Sequence, residues 1–400
     1  MLICSLTACT GQAAADHASI RVSAPGALAD QAINVTVTGL VPGQQVTVAA
    51  QATDADHRLW HAHATFSAGP DGDVNLASAA PASGSYSGAD SMGLFWSMTT
   101  LPGESGNEYF TPAPPQSQAS FPVRLTVTSA GRLLASRTVT RNWMAPGETA
   151  RVLTVQADRV DGVLFLPPPG ASRHPGVLVF GGAEGGMSQT FTAALLAAHG
   201  YPALTVAYFD WPGLPSKLQE IPLEYFVTAA QILASQPGVD PAHLLVMGYS
   251  RGSEAALLLA DTFPRLFHGA IVYAPTSFIN PAEDNSAEAA WTLGGKPVEP
   301  DPIPLNAVSG PVLAIAGGSD ALWNSEASAN EISVALTFDG SGYSHQAVVY
   351  PDAGHGVGTF PYQPIGSAAL RALGGTRAGD VAAQRSGWTK VMSLLRGLGS

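Results

Sequence analysis

"LLVMGYSRGSEAALLLA", residues 244–260, decides the fold of this 400-residue chain. An apolar run, Leu244 to Met247, enters a glycine-flanked serine. It leaves as a pattern in which Ala255, Leu258 and Leu259 recur at helical spacing. Gly248, Ser250 and Gly252 have the G-x-S-x-G spacing of a nucleophile elbow, whose central residue takes a strained conformation crowded by its neighbours. Glycines two before and two after relieve that crowding. The same spacing also occurs in plain turns, but between a strand and a helix it predicts a serine at the corner. The positive end of the helix then lies behind it, where a developing oxyanion is stabilised.

The surrounding rhythm agrees. From about Arg151 onward, apolar runs such as "PGVLVFGG", "PALTVAYFD", "GAIVYAP", "GPVLAIAGG" and "QAVVYPDAG" alternate with amphipathic segments such as "TFTAALLAAHGY" and "PLEYFVTAAQILASQ". Continuous apolar strands interleaved with helices predict a doubly wound, mostly parallel sheet covered on both faces, the α/β class. In such a sheet the reactive groups collect beyond the carboxyl ends of the strands. That rule selects Asp320, just past "PVLAIAGG", and His355, just past "QAVVYPD", giving the order Ser250, Asp320, His355 expected of an α/β-hydrolase. A serine hydroxyl is a poor nucleophile at neutral pH, so it needs a histidine base and a carboxylate to orient that base. His345 precedes its strand and belongs at the opposite edge. Asp352 follows the strand directly and is the rival acid, reading otherwise as a turn carboxylate like Asp339.

Acyl chemistry also needs oxyanion donors. "FGGAEGG", Phe180 to Gly186, follows the first strong strand, and its backbone N–H groups at Ala183 and Glu184, with that of Arg251, are the expected donors. An ordinary glycine turn is the plainer reading. A Walker loop is excluded because no Gly-Lys-Ser/Thr follows, and the glycine spacing fits a dinucleotide fingerprint poorly.

Ahead of this unit, Ile20 to Arg141 reads as short β-rich runs with turn signals about every ten residues, the mark of a small all-β sandwich. Ala130-Gly131 reads as a hairpin turn. The expected organisation is 1–17 as leader and tether, 18–142 as an immunoglobulin-like sandwich, 143–154 as linker and 155–400 as the catalytic domain. His61 and His63 share a strand face, but a zinc site needs a third ligand and no metal is expected. Phe95 and Trp96 read as core or interdomain packing.

Composition narrows the function. Hydrophobic residues make up 46% and charged residues 12%, describing a globular chain. A net charge of −12, with 18 Lys and Arg, argues against nucleic acid and anionic membranes as partners. Both cysteines, Cys4 and Cys9, precede residue 10, so the domain cores hold neither a disulfide nor a thiolate metal site, and no cofactor is called for. Leu6 to Cys9, "LTAC", resembles a bacterial lipoprotein cleavage box with Cys9 as the lipid-anchored residue. Only eight residues precede Cys9 and none is Lys or Arg. A membrane-anchored lipoprotein and a cytoplasmic protein are both open readings.

Together these features are specific. "GSYSGADSMGLFWSM" (Gly84 to Met98), "AYFDWPGLPSKLQEIPLEYFVTAAQIL" (Ala207 to Leu233), the elbow, "GGSDALWNSEASANEI" (Gly317 to Ile332), "YPDAGHGV" (Tyr350 to Val357) and "GGTRAGDVAAQRSGWTKVMSLL" (Gly374 to Leu395) resemble successive blocks of one family. It is the acyl-CoA thioester hydrolase and bile acid-CoA:amino acid N-acyltransferase family, which joins an immunoglobulin-like domain to an α/β-hydrolase domain. The resemblance implies Ser250 as nucleophile, His355 as base and then acid, and Asp320 as its orienter, acting on a small acyl thioester. Members that transfer to an amino acid carry cysteine at the elbow, so serine implies water as acceptor. Cleavage of carboxylic esters and transfer to an amino acid are the alternatives, and a non-catalytic surface or binding protein on a hydrolase scaffold is the reading from another class.

Overall fold

Strict alternation builds the first unit. In a computed structural model that describes residues 18–101, 109–170, 172–283, 285–358 and 360–399, every second side chain of Gln45–Thr53 and Leu59–Ser67 is buried, as half-covered antiparallel strands require. The leader and tether assigned to 1–17, with the anchor at Cys9, lie outside the described residues. These two strands pair with each other, Gln45–Thr53 pairs on with Ser120–Ser129, and Arg132–Asn142 and Ser83–Gly84 complete a five-stranded antiparallel sheet. A three-stranded sheet of Ser19–Val22, Val35–Thr38 and Val74–Asn75 shares its core, where Val35, Val37, Trp60, Phe66 and Leu125 are buried together. The hairpin at Ala130-Gly131 forms as expected. Ser129 and Arg132 face each other, and φ is 46° and 77° at the two turn residues, the double positive φ of the two-residue turn that suits twisted strands.

One short helix, Gly93–Trp96, interrupts this all-β unit inside the "GSYSGADSMGLFWSM" block. Asp90 holds it. One carboxylate oxygen accepts the Met92 N–H at 2.8 Å and the other the Trp96 indole N–H at 3.0 Å, while Arg385 approaches at 3.7 Å from the far end of the chain. The motif is therefore packing machinery, with Phe95 and Trp96 buried.

The second unit is an eight-stranded sheet of β1 (Thr149–Leu153), β2 (Asp161–Leu166), β3 (His174–Phe180), β4 (Ala203–Ala207), β5 (Val239–Tyr249), β6 (Ala270–Tyr273), β7 (Val312–Gly317) and β8 (His345–Tyr350). Its order is β8-β7-β6-β5-β3-β4-β2-β1. β3 to β8 run parallel, and β2 is antiparallel to both neighbours. Helices α1 (Thr190–Ala198), α2 (Leu223–Ala234), α3 (Arg251–Thr262), α4 (Ser325–Phe338) and α5 (Arg377–Leu398) cover the sheet. The central strands are buried on both faces, which is why they read as unbroken apolar runs. β1 falls inside the stretch read as linker 143–154. Four of its five residues are exposed, so this edge strand carries no apolar signal.

The two units share one buried cluster. Trp143 bridges them, its ring 5.1 Å from Phe121 on the sandwich side and 4.6 and 5.6 Å from Phe191 and Phe360 on the α/β side. Asp30 of the sandwich makes a 2.5 Å hydrogen bond with His199 and accepts the Trp388 indole N–H at 2.7 Å. The Phe110 N–H donates to the Pro364 carbonyl at 2.9 Å, and Tyr109 bridges to Ile365. Together these bonds bring a sandwich loop against the segment that follows His355.

Candidate active site

Ser250 stands between β5 and α3 with φ 56° and ψ −124°. A non-glycine residue pays on the order of 1–3 kcal/mol for such a conformation and holds it only where the surroundings over-determine it. Here they do. A Cβ on Gly248 would overlap the Gly252 carbonyl oxygen, and one on Gly252 would overlap that of Gly181, so both flanking positions admit only glycine. The Ser250 N–H donates to the Tyr273 carbonyl at 2.9 Å, tying the elbow to β6. Serine is a favoured helix cap, yet this hydroxyl makes no cap bond. Instead its Oγ lies 2.9 Å from His355 Nε2.

His355 in turn places Nδ1 at 2.8 Å from Asp320 Oδ2. Both side chains are almost fully enclosed, 2% and 1% exposed. The other Asp320 oxygen accepts the N–H groups of Leu322 at 2.9 Å and Trp323 at 3.3 Å, which leaves Oδ2 for the imidazole. Burial pushes the Asp320 carboxyl up. The hydrogen bond and charge of His355, with bonds from Ser325 and the Leu322 N–H, outweigh burial and hold it below the ordinary carboxylate range. Asp352 has its backbone carbonyl on the Thr376 N–H, and His345 pairs with Thr337 at the far end of β8. The three residues selected by strand position thus meet in one chain of hydrogen bonds, and the rivals stand outside it.

The glycine loop after β3 lies directly on the elbow. A Cβ on Gly182 would sit 2.7 Å from Ser250 Cβ and 2.9 Å from the Arg251 nitrogen. Tyr208, buried after β4, donates its hydroxyl to the carbonyls of Gly181 at 2.9 Å and Gly182 at 3.3 Å. In a trans peptide C=O and N–H point opposite ways, so the Gly182 and Ala183 N–H groups are turned away from Tyr208. The first of them donates to Glu184 Oε2 at 2.9 Å. The Glu184 N–H is engaged by its own carboxylate. Of the three expected donors, Ala183 and Arg251 keep N–H groups with no hydrogen-bond partner among the described residues. Glu184 is crowded by protein yet open at the surface. Desolvation raises its carboxyl against bonds from Ser188, its own N–H and Gly182, and the side chain still meets the pocket's solvent.

Several participants escaped the sequence reading. Tyr249 donates to the His355 carbonyl at 3.1 Å, and Trp323 lies edge-on to the imidazole at 5.2 Å while its indole N–H donates to the Ala274 carbonyl. Behind the elbow, Arg251 Nε donates to Glu254 at 3.1 Å and its Nη2 to the carbonyls of Asn280 and Pro281, each at 3.0 Å. Glu254 is fully buried and also accepts the Trp291 indole N–H at 2.6 Å. Asp380, in the first turn of α5, accepts the Gly354 N–H at 2.8 Å and so braces the residue before His355. A cavity of about 440 Å³ is lined by Tyr249 and Glu184 together with Tyr109 and Thr111 of the sandwich loop, Gln189 and Phe360. Among the described residues no three metal-ligating side chains converge, and no helix is long and apolar enough to cross a membrane.

Comparison with known proteins adds two matches along the chain. Residues 30–154 match the family described as acyl-CoA thioester hydrolase/BAAT N-terminal region, and residues 287–397 match that described as BAAT / acyl-CoA thioester hydrolase C terminal. The chain is 30% identical to acyl-coenzyme A thioesterase 1 of Rattus norvegicus, over 91% of this chain and 93% of that protein. It is also 30% identical to acyl-coenzyme A thioesterase 3 of Mus musculus, over 93% of this chain and 92% of the other. Among solved structures, a dienelactone hydrolase-like promiscuous phosphotriesterase from metagenomic libraries aligns with 64% of this chain and all of its own, at 18% identity and a TM-score of 0.44.

Proposed function

Because the chain belongs to the acyl-CoA thioester hydrolase and bile acid-CoA:amino acid N-acyltransferase family, we propose that it hydrolyses a small acyl thioester through an acyl-enzyme on Ser250. The observation that carries this reading is the unbroken run of hydrogen bonds from Asp320 through His355 to Ser250, at 2.8 and 2.9 Å. His355 Nε2 takes the hydroxyl proton as Ser250 Oγ attacks the thioester carbonyl carbon. The negative charge that develops on the carbonyl oxygen meets the N–H groups of Ala183 and Arg251 at the positive end of α3. Collapse breaks the carbon–sulfur bond, and His355 returns its proton to the departing thiolate. Water then enters, gives a proton to the same imidazole and attacks the oxygen ester, releasing the acid and restoring Ser250. Asp320 keeps the Nδ1–H tautomer throughout, so Nε2 always faces the reacting atoms.

The same reading gives the parts of the chain their roles. Residues 18–142 serve as a sandwich whose Tyr109–Thr111 loop walls the acyl pocket, and 155–400 carry the chemistry. An amino acid acceptor is disfavoured because an oxygen ester reacts less readily with amines than the thioester formed on a cysteine elbow. A carboxylic ester is the second substrate class for this site, since the same serine, histidine and oxyanion donors act on either carbonyl. The test compares acyl-CoA and aryl ester turnover side by side in wild type and Ser250→Ala, with fluorophosphonate labelling of each. The proposal requires labelling and both activities to vanish in the variant, with thioester turnover the faster in wild type. Persistent turnover without Ser250 removes the nucleophile.

A further inference from the structure

The cavity beside the elbow has an uneven chemistry. Its lining is aromatic, amide and hydroxyl, from Tyr109, Thr111, Gln189, Tyr249 and Phe360 among others. Among the described lining residues Glu184 is the one carboxylate, and none is a lysine, arginine or histidine. Glu184 also stands near the elbow: the loop that carries it packs against Ser250 through Gly182, and its carboxyl senses the charge of His355. Tyr249, the residue before Ser250, and Glu184 both line this cavity, which makes it the neighbouring space for an acyl chain on Ser250.

Resting on the thioesterase reading above, we infer that Glu184 is a specificity residue that excludes acyl groups ending in a carboxylate and reserves the cavity for uncharged acyl chains. A dicarboxylic half-thioester would bring its free carboxylate into a space that offers one like charge and no cation. Two such charges about 6 Å apart at an effective dielectric near 20 repel strongly enough to slow the reaction on the order of a hundredfold. The groups facing Glu184 are His355 from the catalytic loop, Tyr208 after β4, Tyr249 before the elbow, and Asp210 against Gly185. None supplies a fixed positive charge. Crowding raises the Glu184 carboxyl, so the like charge is complete only above that raised value and the discrimination grows as the pH rises through it.

The experiment measures kcat/KM for hexanoyl-CoA and adipoyl-CoA, equal in length and differing in the terminal carboxylate, on wild type, Glu184→Gln and Gln363→Lys. The expected wild-type ratio favours hexanoyl about a hundredfold and climbs with pH. Glu184→Gln keeps an acceptor for the Gly182 N–H, and its ratio should collapse at least tenfold and lose its pH dependence, whatever uniform loss the variant suffers. Gln363→Lys, which places a cation on the cavity wall, should raise adipoyl turnover relative to hexanoyl. A wild-type ratio near one, or a Glu184→Gln enzyme that loses both activities equally and keeps the ratio, overturns the inference. The 4-nitrophenyl esters of the same two acids are run in parallel. If they alone are hydrolysed, the thioester reading fails while their ratio still decides the role of Glu184. If neither pair is turned over, both readings fall.

Discussion

Replacing Asp320 by asparagine changes almost no volume, and the structure dictates how the amide must sit. One Asp320 oxygen already accepts two backbone N–H groups, from Leu322 at 2.9 Å and Trp323 at 3.3 Å, so the amide oxygen takes that place and the NH2 turns to His355. A donor at Nδ1 forces the imidazole to carry its proton on Nε2, the atom 2.9 Å from Ser250 Oγ. A protonated Nε2 cannot accept the serine proton. The expected loss in kcat is therefore about ten-thousand-fold, or ~5.5 kcal/mol of transition-state stabilisation, with KM little changed. The assay follows thiol release from an acyl-CoA at saturating substrate, beside Asp352→Asn, which should stay within a few-fold of wild type. Stability gives a second readout. The depressed Asp320 carboxyl adds stability above the unfolded value of 3.8, lost as the pH falls through the lower folded value, so the stability gap between wild type and variant should close in acid. An Asp320→Asn enzyme within tenfold of wild type would refute the tautomer argument, and a crippled Asp352→Asn enzyme would move the acid.

Gly182→Ala should cost at least a hundredfold in kcat, because the new methyl overlaps Ser250 Cβ and the Arg251 N–H and must push the oxyanion loop off the elbow; steady-state kinetics with a circular dichroism melt separates this from unfolding. Asp380, 1% exposed, has its carboxyl raised by burial from 3.8 to about 6, a rise worth ~3 kcal/mol that penalises the folded state at neutral pH. Relative to wild type, Asp380→Asn should thus gain stability as the pH rises through 6 and show no such gain below about 4; parallel melts with pH check the sign. Wild type given an acyl thioester with excess glycine or taurine should release free acid alone by mass spectrometry, and a product that is mostly N-acyl amino acid would make the chain a transferase.

The elbow was legible because its constraint is local: one serine at positive φ and two positions where a Cβ meets backbone leave little choice of residue. Asp320 and His355 were legible for a different reason, since a parallel sheet collects loops at its carboxyl edge and both follow a strand there. What the sequence hid depends on the tertiary fold. Arg251 and Glu254, three apart on a helix, carry no mark of burial in the sequence, and only the segment around Asn280 and Trp291 turns them into a buried tie behind the elbow. Tyr109 reaches the cavity only because Trp143 and Asp30 dock the sandwich on the hydrolase unit. β1 was read as linker because it is an exposed edge, and a strand that buries one side chain in five leaves no periodic mark. Tyr208 lay within a recognised block, but its hold on two glycine carbonyls from another loop has no counterpart in local pattern.

The central claim is that the acyl group passes through Ser250. Rapid mixing of wild type with an acyl-CoA, acid quenching within the first turnover, and peptide mass spectrometry test it most directly. The account predicts a transient adduct of one acyl mass on the peptide containing Ser250, absent from Ser250→Ala and decaying at the rate of acid release. Turnover with no adduct at any time, or an adduct on another residue that forms and decays at the catalytic rate, contradicts it.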